Sequence, residues 1–197
     1  MSDEEPRPSS LTERKRRRAK EAIRTAALEL FSERGFDAVS VTDIAERAEV
    51  GRTTFFRYFG DKQEVLFADS EETAEQTSRI AGRGTDPIGA SMSAALEAAR
   101  RLVVSYVEHI TADADAYSAH QRLINGQPEL YARSLVKQRS YAEKLTTQLE
   151  RWGADPPVAR QAAETGLACF YVGRATANDD PRLLARHVGR AFDRLTA

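Results

Sequence analysis

The run from Ser40 to Lys62, SVTDIAERAEVGRTTFFRYFGDK, constrains the chain more than any other stretch. Val41, Ile44, Ala45 and Ala48 recur at i, i+3, i+4 and i+7, which gives a first short helix one apolar face. Ser40 precedes it and Asp43 follows three residues later, a capping-box-like start with Asp where Glu or Gln is usual. This helix is expected to end near Glu49, with Val50 turned back to the core. Gly51 is expected to take the unusual backbone angles of a sharp turn. A second helix follows, roughly Arg52 to Phe59. Phe55 and Phe59, four apart, face inward and leave Arg52, Thr53, Thr54, Phe56, Arg57 and Tyr58 outside.

That outer face carries two guanidiniums, two threonine hydroxyls, a phenol and a bare phenyl ring, and no acid. Such a face suits a DNA major groove. Arg pairs bidentately with guanine, Thr and Phe can touch a thymine methyl, and hydroxyls bond phosphates. Asp61 is placed to cap the next helix, with Glu64 three residues on. Lys62 then falls at that helix's first position, where its charge and the free N–H groups both favour a phosphate. Amphipathic helix pairs often serve only packing, so the surroundings must agree. They do: six basic residues lie between Arg14 and Lys20, just ahead of the motif, as in an arm touching phosphates or the minor groove.

The segments AALELFSERGFDAVSVTDIAERAEVG and TTFFRYFGDKQEVLF, within about Arg17 to Ala68, resemble the N-terminal DNA-binding domain of the TetR family of bacterial transcriptional regulators. The resemblance implies an all-α chain. It would join an N-terminal three-helix, helix-turn-helix DNA-binding domain to a C-terminal helical bundle for ligand binding and dimerisation. A homodimer would place two recognition helices in successive major grooves of a near-palindromic operator. Arg52, Thr53 and Arg57 are then the base-edge candidates. Ser40, Thr42, Thr54, Phe56, Tyr58 and Lys62 form the positioning group. Phe56 departs from the family, which commonly has Tyr there, and offers only apolar contact.

Charge distribution agrees with that division. The formal net charge is −1, yet Arg14 to Lys62 carries a net of +4 and the remainder from Gln63 a net of −2. Ala, Leu, Arg and Glu dominate, and β-branched residues never alternate, which reads as all-α. Residues 1–13 read as an acidic, Pro- and Ser-rich disordered tail, and 14–62 as the DNA-binding domain, with its helix-turn-helix over 40–59. Residues 61–81 read as a connector helix and 87–197 as the effector-binding and dimerisation domain. No apolar run reaches membrane-spanning length and the first residues lack a signal-peptide core, so a cytoplasmic location is expected.

The C-terminal part opens with an apolar helix over about 88–110, then a short one over 117–124. A third, from Pro128 to about Trp152, carries Tyr131, Leu135, Gln138, Ala142, Leu145 and Leu149 near heptad spacing. The next helix has a small-residue stripe of Ala159, Ala162, Ala163, Gly166, Ala168 and Gly173. The last has Leu184, Val188, Ala191, Phe192 and Leu195 on one side. By resemblance this final pair, about 156–196, forms the homodimer's four-helix interface. A small hydrophobic effector is expected among Met92, Leu96, Val103, Tyr106, Leu123, Phe170 and Tyr171, with Arg122, Arg139 or Arg174 meeting an anionic end. GRTTFFRYFGDK with QRLINGQPELYARS resembles a TetR subgroup sensing acyl-CoA-like or other hydrophobic acids.

Catalytic and metal chemistry have no support in the sequence, and no cofactor is expected. His109, His120 and His187 are far apart, with no His/Glu cluster at helical spacing. There is no phosphate-binding glycine loop and no nucleophile–base spacing. Cys169 is a lone cysteine in an apolar context, expected in the core. The rival to a DNA-binding regulator is a helical small-molecule-binding or interaction protein with no DNA role.

Overall fold

The computed structural model describes residues 11–67, 81–82 and 87–196. The expected connector over 61–81 therefore lies mostly outside the described residues. The chain is all-α and divides into two units, residues 1–68 and 69–197.

In the first unit α1 (Leu11–Arg34) buries Ile23, Ala26, Ala27, Leu30 and Phe31, one apolar stripe at helical spacing. Leu11, Thr12 and Glu13, expected in the tail, are already helical. Gly35 ends α1 at φ +81, the left-handed angle a glycine reaches without steric cost, and its N–H bonds Phe31 O at 3.0 Å. The chain then folds Phe36 under the unit, its ring 4.9 Å from that of Phe31. α2 (Val41–Arg47) buries Ile44 and Ala45. α3 (Arg52–Tyr58) buries Phe55. Val65, Leu66 and Phe67, on a short 3-10 turn over Glu64–Phe67, complete the core.

The bend between α2 and α3 corrects the expectation for Gly51. Gly51 sits at φ −73, ψ 148, ordinary extended backbone, and a Cβ there would meet nothing within 4 Å. The left-handed residue is Glu49, at φ 54. Its N–H reaches Glu46 O at 3.1 Å, and the Val50 N–H reaches Ala45 O at 2.9 Å. These two bonds close the helix in a Schellman pattern, whose left-handed position falls directly after the cap residue Ala48. A non-glycine residue is held there by the closure of the helix, at a steric cost of about 1 kcal/mol.

The second unit contains α4 (Met92–Ile110), α5 (Ala114–Gly126), α6 (Pro128–Arg151), α7 (Pro156–Thr176) and α8 (Pro181–Thr196). Ser91 caps α4, accepting from Ala94 N–H, and Asp113 caps α5, accepting from Asp115 and Ala116 N–H. Prolines open α6, α7 and α8, where a missing N–H costs nothing. α7 is the central helix, packed against α4, α6 and α8. Its Ala159, Ala162, Ala163, Gly166 and Gly173 are buried within the subunit, while Ala168 is exposed. The small-residue stripe therefore serves packing inside one subunit. A Cβ on Gly173 would lie 2.4 Å from Val188 Cγ2 and 2.8 Å from Val188 N, so α7 and α8 meet almost backbone to backbone.

Two stripes differ from the sequence reading. In α6 the first buried positions are Leu130 and Ser134, whereas Tyr131 and Leu135 are exposed. Ser134 and Thr146 can be buried because their hydroxyls donate to Tyr131 O at 2.7 Å and Ala142 O at 2.8 Å. On α8, Leu184, Val188, Ala191 and Phe192 are buried, each large one contributing about 2 kcal/mol relative to exposure. Leu195, at the helix end, is exposed.

Candidate nucleic-acid interface

α3 is positioned by its two inward rings. Phe55 and Phe59 are buried with centroids 5.7 Å apart, so the helix cannot roll without exposing one of them. This leaves Arg52, Thr53, Phe56 and Arg57 exposed, with Thr54 and Tyr58 half-buried. The helix carries no acid. The Arg57 guanidinium lies 4.9 Å over the Tyr58 ring and donates from Nη2 to Tyr58 Oη at 3.3 Å. Tyr58 thus restricts an otherwise flexible cation, reducing the entropy lost when it binds an anion or a base edge.

α2 is fixed at both ends. Ser40 N–H donates to Asp43 Oδ2 at 2.8 Å, Asp43 N–H donates to Ser40 Oγ at 3.2 Å, and the Ser40 hydroxyl also bonds Asp43 Oδ2. The Ser40 hydroxyl, then its backbone N–H, hold the Asp43 carboxyl below the usual range, with a smaller contribution from Arg34. At the other end Arg47 donates to Glu33 at 3.1 and 3.0 Å and to Glu29 at 3.3 Å, joining α2 to α1. The Arg47 hydrogen bond holds the Glu33 carboxyl low. The sequence reading missed Arg47, since its partners lie 14 and 18 residues away.

The structure gives Lys62 a use other than a phosphate contact at a helix start. It lies in a turn ahead of Glu64–Phe67, and Asp61 Oδ1 caps that turn by accepting from Glu64 N–H at 2.8 Å. The Lys62 ammonium donates to Phe36 O at 2.8 Å and Val39 O at 2.9 Å and lies 4.4 Å over the Phe36 ring. It ties the α1–α2 loop to the end of the unit. Thr42 is half-buried at the first turn of α2. The basic run Arg14–Lys20 lies on the first turns of α1, with Arg14 to Arg18 exposed and Lys20 half-buried.

In the second unit Met92, Leu96, Val103, Tyr106 and Phe170 pack half-buried against the core. Leu123 is half-buried, Arg122 is exposed, and Tyr171 is exposed and bonded through its hydroxyl to Gln138 Oε1. Two of the three expected anion partners are already paired: Arg139 with Glu164 at 2.7 Å and Arg174 with Asp179 at 2.8 Å. Tyr117, absent from the sequence-based set, is buried with a hydroxyl that has no hydrogen-bond partner. Burial pushes its phenol above the usual range, partly offset by Arg174. Cys169 is buried, and burial likewise raises its thiol. Among the described residues no group of three or more His, Cys, Asp or Glu could hold a metal ion, and no helix is long and apolar enough to cross a membrane.

A short helix with an acid-free outer face, set behind a tight turn and locked to α1 through α2, defines a helix-turn-helix unit. Residues 23–68 match the family described as bacterial regulatory proteins, tetR family. TcmR of Streptomyces glaucescens, an HTH-type transcriptional regulator, is 32% identical over 143 residues. That stretch spans 71% of this chain and 62% of TcmR's own length. A solved TetR-family regulator from Streptomyces coelicolor A3 covers 95% of this chain and 97% of itself, with a TM-score of 0.55 and 23% identity. Thermus thermophilus FadR, a TetR-family repressor solved in complex with lauroyl-CoA, covers 90% of this chain and 93% of itself, with a TM-score of 0.52 and 24% identity. The two solved structures are alike in fold.

Proposed function

We propose that this protein is a DNA-binding transcriptional regulator: a homodimeric repressor that grips a near-palindromic operator and lets go when a small hydrophobic effector binds. The observation that carries the reading is the outer face of α3. Arg52, Thr53 and Arg57 are exposed there without any acid beside them on the helix, while Phe55 and Phe59 fix which face is outward. The fold has no other need of these polar groups. Arg52, Thr53 and Arg57 read base edges, and Thr42, Thr54, Tyr58 and the basic front of α1 meet phosphates. The Ser40 hydroxyl is engaged in its cap and orients α2. The homodimer forms through the last two helices, 156–196. Ala168, Tyr171, Val172 and Ala175 are among the exposed α7 residues available to it.

The effector reading rests on the half-buried apolar set Met92, Leu96, Val103, Tyr106 and Phe170. A similar fold holds lauroyl-CoA in FadR. Since Arg139 and Arg174 are paired internally, an effector here is held by apolar contact more than by an ion pair. To switch the protein almost completely it must favour one state by about 5 kcal/mol. Operator binding by the full chain in a salt titration tests the DNA reading. Several phosphate contacts require log K to fall steeply with log salt, by about 0.9 per contact. Weak, sequence-indifferent binding with a flat salt dependence would leave a helical small-molecule-binding protein as the reading.

A further inference from the structure

Among the described residues of the DNA-binding unit, two large apolar side chains are exposed. One is Leu11 at the first turn of α1. The other is Phe56, 48% exposed in the middle of α3. Phe56 is not loosely placed. The buried Phe55 ring meets it edge to face at 5.6 Å and 84°, which sets the direction of the Phe56 ring. One turn earlier on the same surface lie Arg52 and Thr53, the residues placed on base edges. A phenyl ring has no donor or acceptor. It can bond neither a phosphate nor the polar edge of adenine, guanine or cytosine, and pressing it on such an edge strips water from groups it cannot satisfy. The major groove offers one apolar group among the four bases, the C5-methyl of thymine.

We propose that Phe56 is a specificity-determining residue that recognises the C5-methyl group of one thymine in each operator half-site. The assignment rests on the DNA-binding reading and adds to it the base and the atom read. Thr53 and the two arginines then supply polar readout at the neighbouring pairs.

The test begins with selection of an operator from random duplexes by the full chain. Each thymine of the selected operator is then replaced in turn by deoxyuridine, which removes only the methyl. At one thymine per half-site, affinity should fall about fourfold, the value of one methyl group taken out of water. Phe56→Ala should abolish that difference and Phe56→Leu should keep it. Both variants should stay folded, with melting temperatures within a few degrees of the parent, since the half-exposed side chain loses only its edge contact with Phe55. A parent protein indifferent to deoxyuridine at every position overturns the proposal. So does a methyl preference that survives in Phe56→Ala but disappears in Thr53→Ala. Failure of the selection to enrich any sequence overturns the DNA-binding reading itself, and is thereby distinguished from failure of the methyl contact alone.

Discussion

α3 and α7 direct their side chains in opposite senses. α7 turns its small residues inward, against α4, α6 and α8, until Gly173 lies against the backbone of Val188. Its composition is explained by packing. α3 needs only Phe55 and the following Phe59 to anchor it, and the residues it leaves outside are ones no fold requires. A helix whose sequence is exhausted by packing says little about function. A helix with unexplained chemistry on its free face says much, and the contrast can be broken at either end.

The largest effect is expected in α7. Gly173→Ala forces the Cβ into the Val188 backbone and should cost about 2–3 kcal/mol, an overpacking penalty. Thermal unfolding of the full chain should show a drop of about 4–12 °C. An unchanged melting temperature would mean that the two helices do not approach so closely.

Next comes Arg57→Ala, which should weaken binding to a selected operator by about 1–3 kcal/mol, read by fluorescence anisotropy, while the melting temperature stays put. Lys62→Met sharpens the division within the small unit. It removes two charge-assisted bonds, to Phe36 O and Val39 O, and should cost about 1.5 kcal/mol of stability. The salt slope of operator binding should be unchanged; a slope shallower by about 0.9 would instead return Lys62 to the phosphate contacts. Gly35→Ala should cost about 1 kcal/mol, because φ +81 is strained for an L side chain, whereas Gly51→Ser should stay within about 0.5 kcal/mol.

The smallest effect is acid sensitivity. Asp43 and Glu33 have folded-state values below their unfolded ones. Their contribution is therefore complete above the usual carboxylate range and is lost as pH falls through the lowered folded values. Acid titration of the melting temperature should show a loss that begins below about pH 5, and Asp43→Asn should make it shallower.

Local patterns that stay within a turn or two were readable from sequence: the inward pair Phe55 and Phe59, and the caps at Ser40 and Asp61. What escaped was set by residues far apart in the chain or hidden by polar letters. Lys62 finds its carbonyls 26 and 23 residues back. Only the first turns of α6 were misread: Tyr131 and Leu135 lie outside and Ser134, polar in type, bonds its own helix and goes inside, while Ala142 and Leu149 are buried as read. Glu49 takes the angle expected of Gly51 because the closing bonds of α2, and not residue type, locate the bend. At the candidate interface the identity of the outward residues was legible. The Tyr58 clamp on Arg57 and the edge contact fixing Phe56 required the structure.

The central claim is that the free face of α3 reads sequence. Its most direct test is the ratio of affinities for a selected operator and a scrambled duplex at one salt concentration, in the parent and in Arg57→Ala. The parent ratio should exceed about 10³ and fall at least tenfold in the variant, with affinity for the scrambled duplex nearly unchanged. A parent ratio near one, or a ratio that Arg57→Ala leaves intact, would contradict it.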